Sequence, residues 1–479
     1  MTRNYFLLPL LMATPLMAEE YVTSGDGQCY TFAQLAELTE NVSLNEAGEF
    51  IVSDDITISP LDSLEVTSGV ILLADGVTLN LDGYTRLVSL DGPVLFSRTT
   101  DEAQPRGIRL GDSEAQFSAM NVDFQYIGIR DVSQQPIYLV GCRFHKVNTA
   151  GTSTAALAFS ANSTGNYIAG CTFSQCESAA IGAALNNANG MTISACTFFD
   201  NNTQNTNKPQ LNLISGGDAA IEVQDCTIVG TGRSMVGGIG FMNYMNPGSN
   251  SIVLQNNTIT NCRYGMCAYS SSPLNIEMSG NKIINNCYET DPNNGGSGIS
   301  LYDMSENSLT FRGYNNYIEG NLWGVTVLGK PASVSFGYLG DELEQPYMGG
   351  NTFVNNGNND IPYEFFNNTS NDLTIYAQGN TWGYGSQDSL RVAQLVWDSN
   401  DAGGHGEVIY TTPKDESGTV SLPALEARPS HIVDIYSLEG TREAIRQYGS
   451  EAAFEQALST RGLKIVRDNL GNSRIINVR

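Results

Sequence analysis

The chain has 479 residues, of which 15% are charged, and its 50 Asp and Glu against 24 Lys and Arg give a formal net charge of −26. Such a surface repels nucleic acids and anionic membranes, so both are excluded as partners. The chain is too long for one compact globule, while few charges and 49 glycines suit stacked strands joined by tight turns.

The first 18 residues have the three parts of a secretory signal peptide. Arg3 precedes an apolar run over residues 5–11, and Leu16-Met17-Ala18 follows, with cleavage predicted after Ala18. No later stretch is apolar for long enough to span a bilayer, so we expect no membrane-spanning segment. The sequence therefore predicts export through the periplasm, followed by secretion or display on the outer cell surface.

Residues 19–48 are expected to cap the domain that follows, with one or two helical turns between Thr31 and Thr39. From residue 49 onward, short alternating apolar stretches such as residues 77–81 are separated by Asp-Gly pairs, a pattern typical of strands and turns. This opening resembles the first coils of bacterial surface proteins that fold as right-handed β-helices.

A short motif then repeats between residues 121 and 383 at a spacing of roughly 20 to 35 residues, the range of solenoid repeats. Its first and third positions are expected to face inward and its second outward. We interpret each repeat as strand, corner, strand, corner. Stacked in parallel at ~4.8 Å, about ten coils would form a rod of roughly 45 to 50 Å before the ends are added. The predicted fold class is all-β, with a right-handed parallel β-helix over residues 49–410.

The first position of the motif changes along the chain from a thiol to an amide. An inward Asn can donate to one neighbouring coil and accept from the other, so this column predicts a structural ladder. Its members are Cys142, Cys171, Cys196, Cys226, Asn257, Asn281, Asn316, Asn351 and Asn380. A second set recurs five residues later, at Cys176, Asn201, Cys262, Asn286, Asn321 and Asn356. The Cys side chains in one inward column point in the same direction, which disfavours disulfide bonds between neighbouring coils. We therefore expect buried, mostly reduced thiols.

The end of the repeats at Trp382, followed by residues 395–410, resembles the closing coil of secreted β-helix proteins, where a Trp plugs the open core. Residues 411–428 are interpreted as a linker.

Residues 429–479 resemble the C-terminal sorting domain of the type IX secretion system of Bacteroidota in their order of strands, glycine turns and basic tail. That resemblance implies a small β-sandwich-like domain that the export machinery recognises. Within it, residues 442–458 are expected to be helical.

Asp123, Arg143, His145 and Lys146 form the one grouping that approaches catalytic chemistry, on adjacent strands of one face. A lyase acting on uronates needs a base and a cation beside the substrate carboxylate, which these residue types can supply. A hydrolase needs paired carboxylates, but each outward column of the motif contains a single acid. An exposed ion pair with solvated neighbours explains the same four residues, so no catalytic site is assigned.

Two further groups of residues are considered as possible ligand or metal sites. The tripeptide Gly404-His405-Gly406 matches a sequence motif of polygalacturonases. It is expected to lie outside the coils, and we interpret it as a loop. The acids Asp54 and Asp55, and those around Asp398 and Asp401, could hold Ca²⁺ weakly at most, because no regular Asp/Gly repeat accompanies them. No other metal or cofactor is expected.

Tyrosines in the middle coils are the candidate ligand-binding residues, because amphipathic rings can stack on sugar faces. The selected positions are Tyr264, Tyr269, Tyr302 and Tyr317. The leading interpretation is a secreted or surface β-helix protein that binds an extracellular glycan or a host or matrix component, without evident catalysis. The alternatives are a polysaccharide lyase or glycoside hydrolase using the Asp123 face, and a passive structural rod.

Overall fold

The computed structural model describes residues 20–411, except 153, 186, 216–219, 244–249, 290–293, 338–348, 371 and 384–388. It also describes the backbone of 432–436, 442–447, 462–467 and 473–478. The predicted signal peptide and linker therefore lie outside the described residues, apart from residue 411.

Three sheets of 14 strands each form the walls of one solenoid, and from Phe50 onward successive strands enter sheets C, A and B in turn. All pairings within these sheets are parallel except that of Val42–Leu44 with Phe50–Val52, which is antiparallel. Sheet A contains Tyr21–Val22, Ile56–Ile58, Thr78–Leu81, Gly107–Leu110, Ile129–Asp131, Ala155–Phe159, Ala179–Ala183, Leu211–Ile214, Ile239–Asn243, Met266–Ser270, Ser297–Asp303, Trp323–Gly329, Phe365–Thr369 and Val396–Trp397. Sheet B contains Cys29–Tyr30, Ser63–Val66, Tyr84–Val88, Gln116–Met120, Ile137–Val140, Ser163–Ala169, Asn189–Ser194, Ile221–Gln224, Asn250–Gln255, Leu274–Ser279, Leu309–Tyr314, Ser333–Gly337, Ile375–Ala377 and Val408–Ile409. Sheet C contains Val42–Leu44, Phe50–Val52, Gly69–Leu73, Val94–Arg98, Val122–Gln125, Arg143–His145, Thr172–Ser174, Thr197–Phe199, Thr227–Val229, Thr258–Thr260, Lys282–Ile284, Tyr317–Glu319, Thr352–Val354 and Thr381–Trp382.

The solenoid has three strands in each coil, not two, and its coils continue beyond the ten that carry the motif. With 14 strands in each sheet, it extends roughly 60 Å along its axis, because the opening and closing coils stack without the Asn/Cys motif. Sequence inspection does not separate the third strand from its neighbour. A single residue with left-handed backbone dihedral angles turns the chain from a sheet B strand into the sheet C strand that follows. Examples are Asn121 (φ 57°), Asn256 (φ 55°) and Gly280 (φ 68°). One such residue turns the chain without interrupting the apolar alternation.

The core is a set of stacked side-chain columns that point into the solenoid. In sheet C, Phe96, Phe124, Phe144, Phe173 and Phe198 stack with centroid separations of 5.6, 4.7, 4.5 and 5.4 Å. At the C-terminal end Trp382 is 1% exposed and stacks on Phe353 at 4.6 Å. At the N-terminal end the helix Phe32–Leu38 buries Phe32 and Leu35, and Thr31 and Gln34 form its capping box. A second short helix, Ser389–Val392, precedes the last strand of sheet A.

The first ladder is a continuous chain of buried amides. The side-chain N–H groups of Asn257, Asn281, Asn316 and Asn351 each donate to the Oδ1 of the next Asn in the column, at 2.9 to 3.0 Å. The same Oδ1 atoms accept the backbone N–H of the preceding rung, for example Asn281 N to Asn316 Oδ1 at 3.0 Å. Cys142, Cys171, Cys196 and Cys226 continue the column as buried thiols, and none of the chain's nine cysteines is bridged.

A second ladder follows the other corner of each sheet C strand. Asn286 donates to Asn321, and Asn321 donates to Asn356, at 3.1 and 2.9 Å. Asn356 in turn donates to the buried carboxylate of Glu364, which ends the ladder. In the coil after Cys226 the ladder position is Thr231, whose hydroxyl donates to Asp200 outside the ladder. There the side chain of Gln210 bonds the Asn201 N–H and the Val229 carbonyl instead.

Outside the solenoid, Gly357–Asn358 and Ile361–Pro362 form a small antiparallel hairpin. The C-terminal strands Ile432–Tyr436, Arg442–Gln447, Gly462–Arg467 and Ser473–Val478 form one antiparallel sheet. The helix predicted from residue 442 is therefore wrong for Arg442–Gln447, because backbone pairing with Ile432–Tyr436 overrides the local helical composition. Residues 448–458 lie outside the described part.

Candidate functional site

Four aromatic rings and one imidazole form a contiguous surface at the C-terminal end of sheet A. We call it the aromatic patch, and its members are Trp323, Tyr363, Phe366, Trp397 and His405. Trp323 stacks on Tyr363 and meets Phe366 edge-on, both with centroids 4.5 Å apart. Phe366 stacks on Trp397 at 4.5 Å, and Trp397 contacts His405 at 4.8 Å. All five side chains are half-buried, so each ring keeps part of its surface in solvent.

Strand pairing brings these residues together. Phe366 is the direct partner of Thr326 on one side and of Trp397 on the other, so both rings stand on the outer face of neighbouring strands. Trp323 and Tyr363 sit at or before the start of adjacent sheet A strands. The loop that precedes the last sheet B strand places His405, whose Nδ1 lies 2.8 Å from the Thr369 carbonyl oxygen. The patch is thus assembled from successive coils and held by backbone register.

Two of the predicted tyrosines lie on this same sheet. Tyr269 and Tyr302 are cross-strand partners, with ring centroids 5.9 Å apart and a T-shaped arrangement. Leu328 is the next residue in their column, one strand before Phe366. The outer face of sheet A therefore presents large rings over its last five strands, from Met266–Ser270 to Val396–Trp397.

The other two predicted tyrosines are not part of this displayed surface. A Cβ added at Gly237 would lie 2.1 Å from the ring of Tyr264, so this ring packs directly against the backbone. Burial raises the pKa of Tyr264 well above its usual value. Tyr317 stands on sheet C, where its hydroxyl donates to Glu319 Oε2 at 3.0 Å. The structure thus does not gather the four tyrosines into one site.

The grouping considered for catalysis is also only partly assembled. Asp123 and Arg143 are cross-strand partners and form a bidentate ion pair, and Arg143 is 68% exposed. Hydrogen bonding and attraction from Asp123 raise the pKa of Arg143. Desolvation, helped by Lys146 and Arg143, lowers the pKa of His145, whose Nδ1 is 2.9 Å from Ser174 Oγ. Lys146 is an exposed corner residue with φ 51°.

The acids considered for weak Ca²⁺ binding already accept backbone donors. Asp54 accepts the N–H of Asp55, and Asp55 accepts that of Thr78. Asp398 Oδ2 accepts the N–H of Val408, while Asp401 accepts that of Asp398. Within the described ranges no group of three or more His, Cys, Asp and Glu side chains is arranged to hold a metal ion. No helix in those ranges is long and apolar enough to cross a membrane.

The parallel sheets agree with a comparison against protein families. The family described as right-handed β-helix region matches residues 106–321. The chain is a right-handed parallel β-helix repeat protein. No match was found among curated proteins or among solved structures.

Sequence inspection of this β-helix protein missed the aromatic patch. Trp323, Phe366 and Trp397 are separated by insertions of different lengths, so no fixed spacing relates them. The sequence nevertheless contains two signals for the patch. The first is that Trp323 and Trp397 are two of only three tryptophans in the chain. Phe366 also follows a buried Phe365 in strand alternation, which places it on the outer face.

Proposed function

We propose that this protein binds an extracellular glycan on the outer face of sheet A, with the aromatic patch as the stacking surface. The observation that supports this most strongly is the contiguous contact of Trp323, Phe366 and Trp397. Half-buried rings held by backbone register offer an apolar surface at low entropic cost, and sugar rings pack on such surfaces.

The contrast with the rest of the same column supports binding over a passive rod. The outward positions that precede Phe366 in register are small or polar: Ala158, Gly182, Asn212, Gly240, Cys267, Ser300 and Thr326. A structural spacer has no need to replace such residues with Phe and Trp at its last two rungs. Exposed apolar patches on proteins are associated with binding.

We further propose that the protein is secreted or displayed on the outer cell surface after passage through the periplasm. The support comes from the sequence: the signal-peptide pattern of residues 1–18 and the sorting-domain resemblance of residues 429–479. The partner of the latter would be the type IX export machinery. A glycan-binding rod requires such a location to meet an extracellular glycan or a host or matrix component.

The test is retention of the purified protein on immobilised neutral and acidic polysaccharides. We expect at least one polymer to retain it, and Trp397→Ala and Phe366→Ala each to weaken binding roughly three- to tenfold. Tyr317→Ala on sheet C is the matched control and should bind like the parent.

Tryptophan fluorescence gives an independent readout, because Trp323 and Trp397 lie in the patch whereas Trp382 is 1% exposed in the core. A bound glycan should shift the emission of the parent, and Trp323→Phe with Trp397→Phe should abolish that shift. Retention that survives both patch variants, or is lost equally in Tyr317→Ala, would place the ligand elsewhere.

A further inference from the structure

A cavity of about 470 Å³ opens on the outer face of sheet A, near the opposite end from the aromatic patch. Its walls include Asp55, Asn80, Arg106, Arg109, Arg130 and Gly151, and we call it the arginine pocket. Strand Ile129–Asp131 is fifth in the sheet and Phe365–Thr369 is thirteenth. Eight strand spacings separate the two sites by roughly 38 Å.

Three arginines line this pocket, namely Arg106, Arg109 and Arg130. Arg109 and Arg130 are direct cross-strand partners, and both alternate with buried residues on their strands, so they stand on the outer face. Arg106 enters from the corner just before strand Gly107–Leu110. Like charges placed directly opposite on neighbouring strands are destabilising unless something neutralises them.

No described carboxylate forms an ion pair with any of these three arginines. Elsewhere Arg86, Arg143, Arg233 and Arg263 are each paired with an acid. A second cavity, of about 360 Å³ on sheet B, also contains an arginine, but that residue is Arg86 and Glu65 neutralises it. In a chain of net charge −26, three unpaired arginines in one cavity are an exception.

The nearby acids are occupied by the backbone. Asp55 Oδ1 accepts the N–H of Thr78 at 2.7 Å, and Asp82 Oδ1 accepts the N–H of Gly111 at 2.8 Å. Arg130 Nε donates to Ser160 Oγ at 3.3 Å, which leaves its two terminal nitrogens for another acceptor. Asp82 Oδ1 and Arg109 Nη1 also lie close together beside Gly111, at 2.6 and 2.2 Å from the position of a Cβ there. Three arginines against Asp55 and Asp82 still leave one positive charge in excess.

The pocket wall is fixed by close packing. A Cβ at Gly151 would lie 1.7 Å from the carbonyl oxygen of Arg106, so only glycine allows this approach. Asn148 Nδ2 donates to the Pro105 carbonyl at 3.3 Å and joins the same two corners. Thr149 donates its N–H to Glu177 Oε2 at 3.0 Å. A site held in this way is preorganised, which lowers the entropic cost of binding.

We propose that the arginine pocket binds a single oxyanion substituent of the glycan, either the carboxylate of a uronic acid or a sulfate. Guanidinium groups match both oxyanions with paired hydrogen bonds. The excess of negative charge on the protein repels densely charged polymers, so a glycan with isolated anionic groups fits better. This inference deepens the proposed glycan binding and rests on it, because it names the chemical class of the ligand.

The experiment titrates the full-length protein with D-glucuronate, glucose 6-sulfate and glucose, observed by ligand NMR. We expect glucuronate, glucose 6-sulfate or both to bind with a Kd below about 10 mM and glucose to bind more weakly. Arg109→Gln and Arg130→Gln should each weaken binding of the anion at least about tenfold. Comparing the two anions shows whether the substituent is a carboxylate or a sulfate.

Arg143→Gln is the matched control, because it removes an exposed arginine from sheet C. Polymer retention of Trp397→Ala is measured separately, so its loss concerns the aromatic patch and the proposed function, whereas loss of anion binding in the two arginine variants concerns this pocket. The proposal is overturned if neither anion binds better than glucose, if both pocket variants bind like the parent, or if Arg143→Gln has the same effect.

Discussion

At the scale of single residues, the amides of the ladders matter most because each is buried and fully bonded. The side chain of Asn316 donates to Met278 O and Asn351 Oδ1, and it accepts from both the backbone and the side chain of Asn281. Leu has a similar volume but cannot donate or accept. Its presence would leave buried polar groups without partners on both neighbouring coils, and each such group costs about 1 to 3 kcal/mol.

Asn316→Leu should therefore lower the free energy of unfolding by roughly 3 kcal/mol or more. Urea denaturation followed by circular dichroism measures the change. Thr352→Leu serves as control, because Thr352 is half-buried on the outer face beside the ladder residue Asn351. Equal unfolding midpoints for Asn316→Leu and the parent would show that the ladder does not stabilise the fold.

The end of the second ladder predicts a dependence of stability on pH. Glu364 is 2% exposed, and desolvation raises its pKa to about 7 even though hydrogen bonds from Asn356 lower it. The unfolded value is about 4.3, so the folded state binds this proton more tightly. The resulting stability is present in full below pH 4 and is lost as the pH rises towards 7.

Glu364→Gln should remove this loss, so the difference in stability between pH 4 and pH 8 should shrink by up to about 3 kcal/mol. Urea midpoints measured across this range test it, with the exposed Glu407→Gln as control. Asp131, whose pKa burial also raises to about 7, should keep part of the slope in both variants. An unchanged slope in Glu364→Gln would contradict the assignment.

At the scale of elements, the corner segment of residues 201–210 supplies a side chain that replaces a missing amide in the second ladder. The Gln210 side chain accepts the Asn201 backbone N–H and donates to the Val229 carbonyl, so it spans the coil that has Thr231 instead of an amide. Gln210 is 0% exposed. The segment is therefore attached to the solenoid through an interior hydrogen bond and not only through its surface.

Gln210→Ala should expose residues 201–210 to amide hydrogen exchange and lower the free energy of unfolding by about 1 to 3 kcal/mol. Hydrogen exchange with mass spectrometry localises the effect. Gln204→Ala is the control within the same segment, because its amide reaches Glu177 at the exposed surface. Similar exchange in both variants would mean that the corner does not depend on Gln210.

Local alternation predicts part of the architecture, and long-range register decides the rest. The motif around Thr258–Thr260 shows which side chains face inward, because strand periodicity is local. The third sheet was not separable, because one left-handed residue such as Asn256 joins it to sheet C. Gln210, the aromatic patch and the pairing of Arg109 with Arg130 depend on which coils become neighbours, and insertions of variable length hide that from the sequence.

At the scale of the whole molecule, the solenoid and the C-terminal strands are expected to serve separate purposes, binding and export. Deletion of residues 429–479 should leave the solenoid folded, since the strands of the solenoid themselves supply a core cluster that extends from Tyr30 to Val408. In a bacterium with a type IX apparatus, we expect the truncated protein to accumulate in the periplasm and to be lost from the cell surface. Surface labelling and fractionation measure this, with the Tyr317→Ala full-length protein as an export control. Normal display of the truncated protein would remove the sorting assignment.

The uniform bonding of the amide ladder also bears on how such a protein can change its length over evolution. Asn281, Asn316 and Asn351 each present the same donor towards one neighbour and the same acceptor towards the other. Duplicating one coil between them would therefore insert a rung whose bonds match on both sides, without a compensating mutation. Gene duplication within the repeats can thus extend the rod in steps of ~4.8 Å and alter the separation of surface sites while leaving each site intact.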